Sequence, residues 1–253
     1  MKYPLAVFLG LAGIVGLAQA QFDETFSYPN GPLSTAPGSP WQLWDSSSSI
    51  DMNVVGGVAV TTDGSDDIAM FASATLVNPG DVLSYRFDFS SGSSAGGGSS
   101  PNFTIVFAPA TAPWGPASNE NYNDAFGAVF NLAMQPGNQA SVAALAGQGS
   151  GGLVSYSCGG ISTGAFHHFT GTVVNLGGGL ASDTMAMDGT TIFTSNFTLT
   201  DPRGIDAVEI YKSNTGSNNG KFDNIIVAAT PVPEPATICA LALGGLALIR
   251  RRR

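Results

Sequence analysis

His167 and His168 are the only histidines in the 253 residues, so acid–base or metal chemistry is sought there first. They stand within Phe166-His167-His168-Phe169, and neighbours on a strand point to opposite faces. The two imidazoles are therefore expected to separate, one packed and one exposed, rather than to serve one metal or one catalytic centre. A nucleophilic triad also needs a partnered hydroxyl, and no Gly-x-Ser-x-Gly elbow occurs. A denser group is Asp63-Gly64-Ser65-Asp66-Asp67, with three carboxylates in five residues. Such carboxylates repel one another unless a cation such as Ca²⁺ sits among them; without one the segment is a solvated acidic loop. The third chemistry is sugar recognition, in which rings stack on aromatic faces while amides and carboxylates bond hydroxyls. Trp114, between Pro113 and Pro116 and followed by Asn119, Asn121 and Tyr122, has that composition, with Trp41 and Trp44 as alternatives. Tryptophans in β-sandwiches more often belong to the core.

The elements that must position these residues are strands. Helical periodicity is almost absent between Gln21 and Thr230, whereas alternation is frequent. In Asp81–Phe89, the side chains of Leu83, Tyr85, Phe87 and Phe89 fall on one face, with Val82, Ser84, Arg86 and Asp88 on the other. Phe103, Ile105 and Phe107 repeat the pattern, as do Ala128, Phe130 and Leu132. Gly56-Gly57 and Asp188-Gly189 each stand between two short apolar runs and predict tight hairpins. Ser90–Ser100 reads as a Gly/Ser surface loop. The fold class this predicts is all-β, an antiparallel β-sandwich.

The ends of the chain have a different character. Met1–Ala20 carries one early charge at Lys2, an apolar run from Leu5 to Leu17, and Ala18-Gln19-Ala20 at its close. That is the layout of a secretory signal peptide, with cleavage by signal peptidase expected after Ala20. The middle, residues 21–230, is then one domain with four basic and seventeen acidic residues, a formal −13. No basic patch is left to neutralise phosphates, which excludes nucleic acid as a partner. Cys239 lies in the apolar tail, so Cys158 is expected to be a single thiol and the domain to be held by its core. Asn102-Phe103-Thr104 and Asn196-Phe197-Thr198 fit the N-glycosylation pattern, which means little in a bacterial exported protein.

The tail, residues 231–253, begins with Pro231-Val232-Pro233-Glu234-Pro235, whose prolines impose an extended path. Twelve apolar residues follow, Ile238 to Ile249, and then Arg250, Arg251, Arg252 and Arg253. Four arginines favour retention on the cytoplasmic side, making this segment a membrane stop, a hydrophobic helix at the inner membrane. Val232, Pro233, Glu234 and Pro235, the apolar segment and the arginine cluster together resemble the PEP-CTERM sorting signal. The resemblance implies an exported bacterial protein whose tail is processed by an exosortase and which ends at the cell surface or in the extracellular matrix, often among exopolysaccharide.

The middle is more loosely similar to concanavalin A-like and laminin-G-like jelly rolls. The residues that carry this are Phe22-Asp23-Glu24-Thr25-Phe26, Gly31-Pro32-Leu33 before Trp41, Gly56-Gly57, the strand pair of Phe166–Phe169 with Met187-Asp188-Gly189, and the closing Phe222-Asp223-Asn224-Ile225-Ile226-Val227. In that fold the first and last strands lie side by side, and the resemblance implies a structural Ca²⁺ held by Asp23 or Glu24 with Asp223. Gly204-Ile205-Asp206-Ala207-Val208-Glu209 resembles the Glu-x-Asp-x-x-Glu motif of jelly-roll β-glucanases, but Gly204 replaces the first carboxylate. A retaining glycosidase needs two carboxylates across the scissile bond. Asp206 and Glu209 are therefore read as outward strand residues, and the protein as non-catalytic, binding polysaccharide through Trp114 and Tyr122. The alternatives are a purely structural matrix protein and a divergent glycosidase.

Overall fold

The alternating segments become strands throughout the computed structural model, which describes residues 19–43, 50–61, 66–74, 76–91, 102–108, 126–131, 139–147, 153–199, 205–213 and 219–230. The strands are β1 (Gln19–Glu24), β2 (Gly31–Pro32), β3 (Trp41–Leu43), β4 (Asn53–Val55), β5 (Val58–Val60), β6 (Asp66–Ala74), β7 (Val82–Ser91) and β8 (Asn102–Ala108). They continue as β9 (Phe126–Asn131), β10 (Gln139–Gly147), β11 (Leu153–Ser162), β12 (His167–Gly177), β13 (Leu180–Met187), β14 (Thr190–Thr198), β15 (Ile205–Ser213) and β16 (Gly220–Thr230). No helix occurs among the described residues; the signal segment 1–18 and the tail 231–253 lie outside them.

Two antiparallel sheets form the sandwich. One runs β14-β13-β12-β7-β16-β5-β4-β2, with β1 also paired to β16, and the other runs β11-β10-β9-β8-β15-β6-β3. The first and last strands do lie side by side: Phe22 faces Val227 and Glu24 faces Ile225. Strand β1 starts at Gln19, so it spans the junction at which signal cleavage is expected. Both hairpins form where the turn dipeptides stand. Gly56 and Gly57 take φ of 61° and 81°, and Asp188 and Gly189 take 49° and 79°, the left-handed region those turns require.

The inward faces are the ones the alternation marked. Leu83, Tyr85, Phe87 and Phe89 from β7 meet Phe103, Ile105 and Phe107 from β8 and Phe126 and Phe130 from β9. The rings interlock, with Phe87 stacked on Phe169 at 5.0 Å and Phe89 on Phe130 at 3.7 Å between centroids. One boundary differs from expectation. Ser90 and Ser91 are not loop residues: they extend β7 and are buried, because Lys221 and Gly220 of β16 pair with them. Partner strands, not composition, decided where that strand stops.

Candidate functional site

Glu24 sits at the end of β1 as a buried carboxylate surrounded by donors. Its Oε1 accepts the Phe26 N–H at 2.6 Å, and its Oε2 accepts the Tyr28 hydroxyl at 2.8 Å and the Trp41 indole N–H at 2.9 Å. Phe26 adopts φ 50°, which bends the chain so that its amide reaches back two residues. Trp41 itself is core, between Phe22 and Phe26. Burial and the adjacent carboxylate push the Tyr28 phenol well above its usual range.

The expected calcium ligands are therefore not brought together. Asp23 is exposed and Glu24 buried, as alternation along β1 demands, and both Glu24 oxygens are already occupied by donors. Asp223 is half-buried and accepts the Asn224 N–H at 2.8 Å; burial raises its carboxyl, helped by the charges of Asp88 and Glu24. Of the acidic loop, Asp63 and the Asp66 side chain lie outside the described residues, while Asp67 is buried and accepts the Met52 N–H at 2.8 Å. Among the described residues no three His, Cys, Asp or Glu side chains converge on a metal position.

We expect Glu24→Gln to cost about 2–4 kcal/mol in urea unfolding, because one side of an amide cannot accept a hydrogen bond and a buried donor loses its partner. A variant within about 0.5 kcal/mol of the parent would contradict this anchoring role.

A second polar group gathers where β12 begins. His167 Nδ1 lies 2.7 Å from Asp188 Oδ2 and its Nε2 lies 2.9 Å from Ser162 Oγ. His168 turns to the other face, with Nδ1 2.6 Å from Asp88 Oδ1, and the second Asp88 oxygen accepts the Asn224 side-chain amide at 2.7 Å. The imidazoles are thus separated as expected, His167 largely packed and His168 exposed. The Asp88 hydrogen bond raises the His168 pKa, and the His167 hydrogen bond lowers that of Asp188.

Sequence reading missed Ser162, which stands five residues before His167 in no recognisable motif and meets it only because the β11–β12 connection folds back. The order hydroxyl, imidazole, carboxylate is that of a nucleophilic triad. Three features oppose that use. The Ser162 carbonyl competes for the same Nε2 at 3.2 Å, Asp188 is about half exposed, and the nearby Gly164 amide is spent on the Ser91 carbonyl. Asp188 Oδ1 also accepts the His168 N–H at 2.9 Å, so the group fastens the β13–β14 turn to β12.

Two further carboxylates are buried. Asp183, on the inward face of β13, accepts the Tyr85 hydroxyl at 3.2 Å; burial lifts its carboxyl to about 7. Glu209 faces away from Val208 and Ile210, which belong to the core, so its direction is the outward one expected. Its exposure is not: it is 2 % accessible, beside a buried Val106. Asp206 is half-buried at a bulge between Ile205 and Ala207. The sugar-binding candidates Trp114 and Tyr122, with Asn119, Asn121 and Trp44, lie outside the described residues, as do Ala18, the sorting residues Val232–Pro235 and Arg250–Arg253.

Residues 231–253 match the protein family described as the PEP-CTERM protein-sorting motif. No curated protein matches the chain. Among solved structures, alginate lyase Aly36B is 14% identical at a TM-score of 0.56, with 83% of this chain and 96% of that chain covered. The potassium-bound carbohydrate recognition domain of Emp46p is 14% identical at 0.51, covering 80% and 96%. The CBM2 module of the Lactobacillus casei BL23 phage J-1 evolved Dit is 8% identical at 0.50, covering 86% and 98%. The chain carries a PEP-CTERM tail on a lectin-like jelly-roll sandwich, and the tail marks it as an exported protein anchored at its C-terminal end before processing.

Proposed function

We propose that this chain is a surface or matrix protein of the bacterial envelope whose sandwich binds exopolysaccharide or other envelope carbohydrate without cleaving it. Signal peptidase and an exosortase are its processing enzymes, and the inner membrane is its transient anchor. The observation that carries the proposal is the direct attachment of a sorting tail to a sandwich built like carbohydrate-recognition domains. The Emp46p domain has been solved both potassium-bound and metal-free, so calcium enters here as a dependence to be measured. The non-catalytic part of the proposal rests on Gly204 in place of a carboxylate, on the burial of Glu209 and on the competing carbonyl at His167.

The test is a glycan array with purified protein, run with and without calcium. Trp114→Ala and Tyr122→Ala should each weaken binding about tenfold or more while circular dichroism stays unchanged, the usual effect of removing an aromatic anchor. Absence of binding to any polysaccharide would favour a structural protein without a ligand. Depolymerisation of alginate, or fluorophosphonate labelling that Ser162→Ala abolishes, would overturn the non-catalytic reading.

A further inference from the structure

Strand β16 ends at Thr230 against Val82, and β1 starts at Gln19 against Ala229. The chain thus enters and leaves the sandwich at one end, and its apolar runs, Leu5 to Leu17 and Ile238 to Ile249, flank the domain from there. Strand β7 starts at this end and β12 finishes there before the turn into β13. The loop before β7 is stitched to that turn: the Asn175 side-chain amide donates to the Leu76 carbonyl at 2.6 Å, and the Gly80 N–H to the Asn175 carbonyl at 2.8 Å.

Val77, Leu176 and Leu180 project here, 54%, 49% and 45% exposed, three of the seven large apolar side chains so exposed among the described residues. Charge is missing from the same place. Among residues 76–82, 174–182 and 227–230 the one charged side chain is Asp81, which is buried and accepts the Asn78 N–H at 2.7 Å. On a domain with seventeen acidic residues, an apolar end without exposed charge is a distinct surface.

We propose that this end docks on the lipid bilayer, with Val77, Leu176 and Leu180 in the interfacial layer while the tail holds the protein. The tether selects the occupant. Only the seven residues 231–237 separate Thr230 from the apolar segment, a reach of at most about 25 Å. Anionic headgroups repel the acidic remainder of the surface, so this end meets the membrane at the lowest electrostatic cost. The opposite end, with Asp88, His167, His168 and the β13–β14 turn, then faces outward. The inference does not depend on glycan binding.

The experiment uses the full chain reconstituted in phosphatidylcholine vesicles containing nitroxide-labelled lipid, in a Cys158→Ser/Cys239→Ser background. A fluorophore on Leu180→Cys should be quenched about threefold more than one on Thr190→Cys at the far turn. Adding Leu176→Ser should reduce quenching at position 180 with circular dichroism unchanged. With twenty Gly/Ser residues inserted after Thr230, the preference for position 180 should persist, because the surface itself binds lipid. Equal quenching at the two positions, no effect of Leu176→Ser, or loss of the preference on lengthening the tether would each overturn the proposal.

Discussion

Gly171→Ala is expected to destabilise the domain by about 3 kcal/mol or more, at the upper end of what overpacking costs. A Cβ at this position would stand 1.8 Å from Cζ of Tyr85 and 2.3 Å from its hydroxyl oxygen. Gly171 and Tyr85 face one another across β12 and β7, so the ring lies flat over the glycine backbone. The ring has nowhere to retreat. Phe107 and Phe126 hold it at 5.1 Å and 5.0 Å between centroids, and its hydroxyl is bonded to Asp183. For a chain of this size such a loss lowers the melting temperature by roughly 10 °C. A double-mutant cycle identifies the cause: with Tyr85→Ala already present, Gly171→Ala should add almost nothing. Additive losses, or a single mutant as stable as the parent, would refute the close-approach explanation.

The second large effect is pH-dependent and centres on Asp183. Its carboxyl, ordinarily near 3.8, is raised to about 7, chiefly by burial, with the Tyr85 and Thr184 hydrogen bonds opposing the shift. The folded state therefore holds this proton more tightly than the unfolded chain. The stabilisation is fully present below pH 3.8 and is lost progressively until the pH passes about 7. Over that window the loss is on the order of 4 kcal/mol, at 1.36 kcal/mol per unit. Asp183→Asn keeps an acceptor for Tyr85 and cannot ionise. Urea unfolding should find the variant more stable than the parent at pH 8, with the gap closing towards pH 4. Parallel stability–pH curves for the two proteins would show that Asp183 does not titrate as described. Cys158, whose thiol is also raised by burial and by the Asp183 charge, would ease towards its ordinary value in the variant.

Both effects depend on pairs that local sequence does not announce. Asp183 reads as one more acidic residue on a strand, and Gly171 as one more glycine among thirty-three. Tyr85 and Asp183 are 98 residues apart, and only the order β13-β12-β7 brings them together. Glu24 was legible as a special carboxylate, but its role was misassigned. The resemblance suggested a cation, whereas Phe26, Tyr28 and Trp41 supply three donors instead. The clue was nearby: a Glu–x–Phe–x–Tyr run at a strand end offers a backbone amide and a hydroxyl to the same side chain.

What the sequence by itself determined is what a period of two and a local turn can encode. The inward rows Leu83–Phe89 and Phe103–Phe107, the hairpins at Gly56-Gly57 and Asp188-Gly189, the split of His167 from His168, and the sorting tail were all readable residue by residue. Tertiary structure alone decided which strands are neighbours. It set Ser162 beside His167, Asp88 beside Asn224 across 136 residues, and buried Glu209 on an outward face. It also put Thr230 and the uncharged apolar end together. Alternation assigns a side chain to a face, but its neighbour across the sheet follows from strand order and register, which are settled by the collective packing of both sheets.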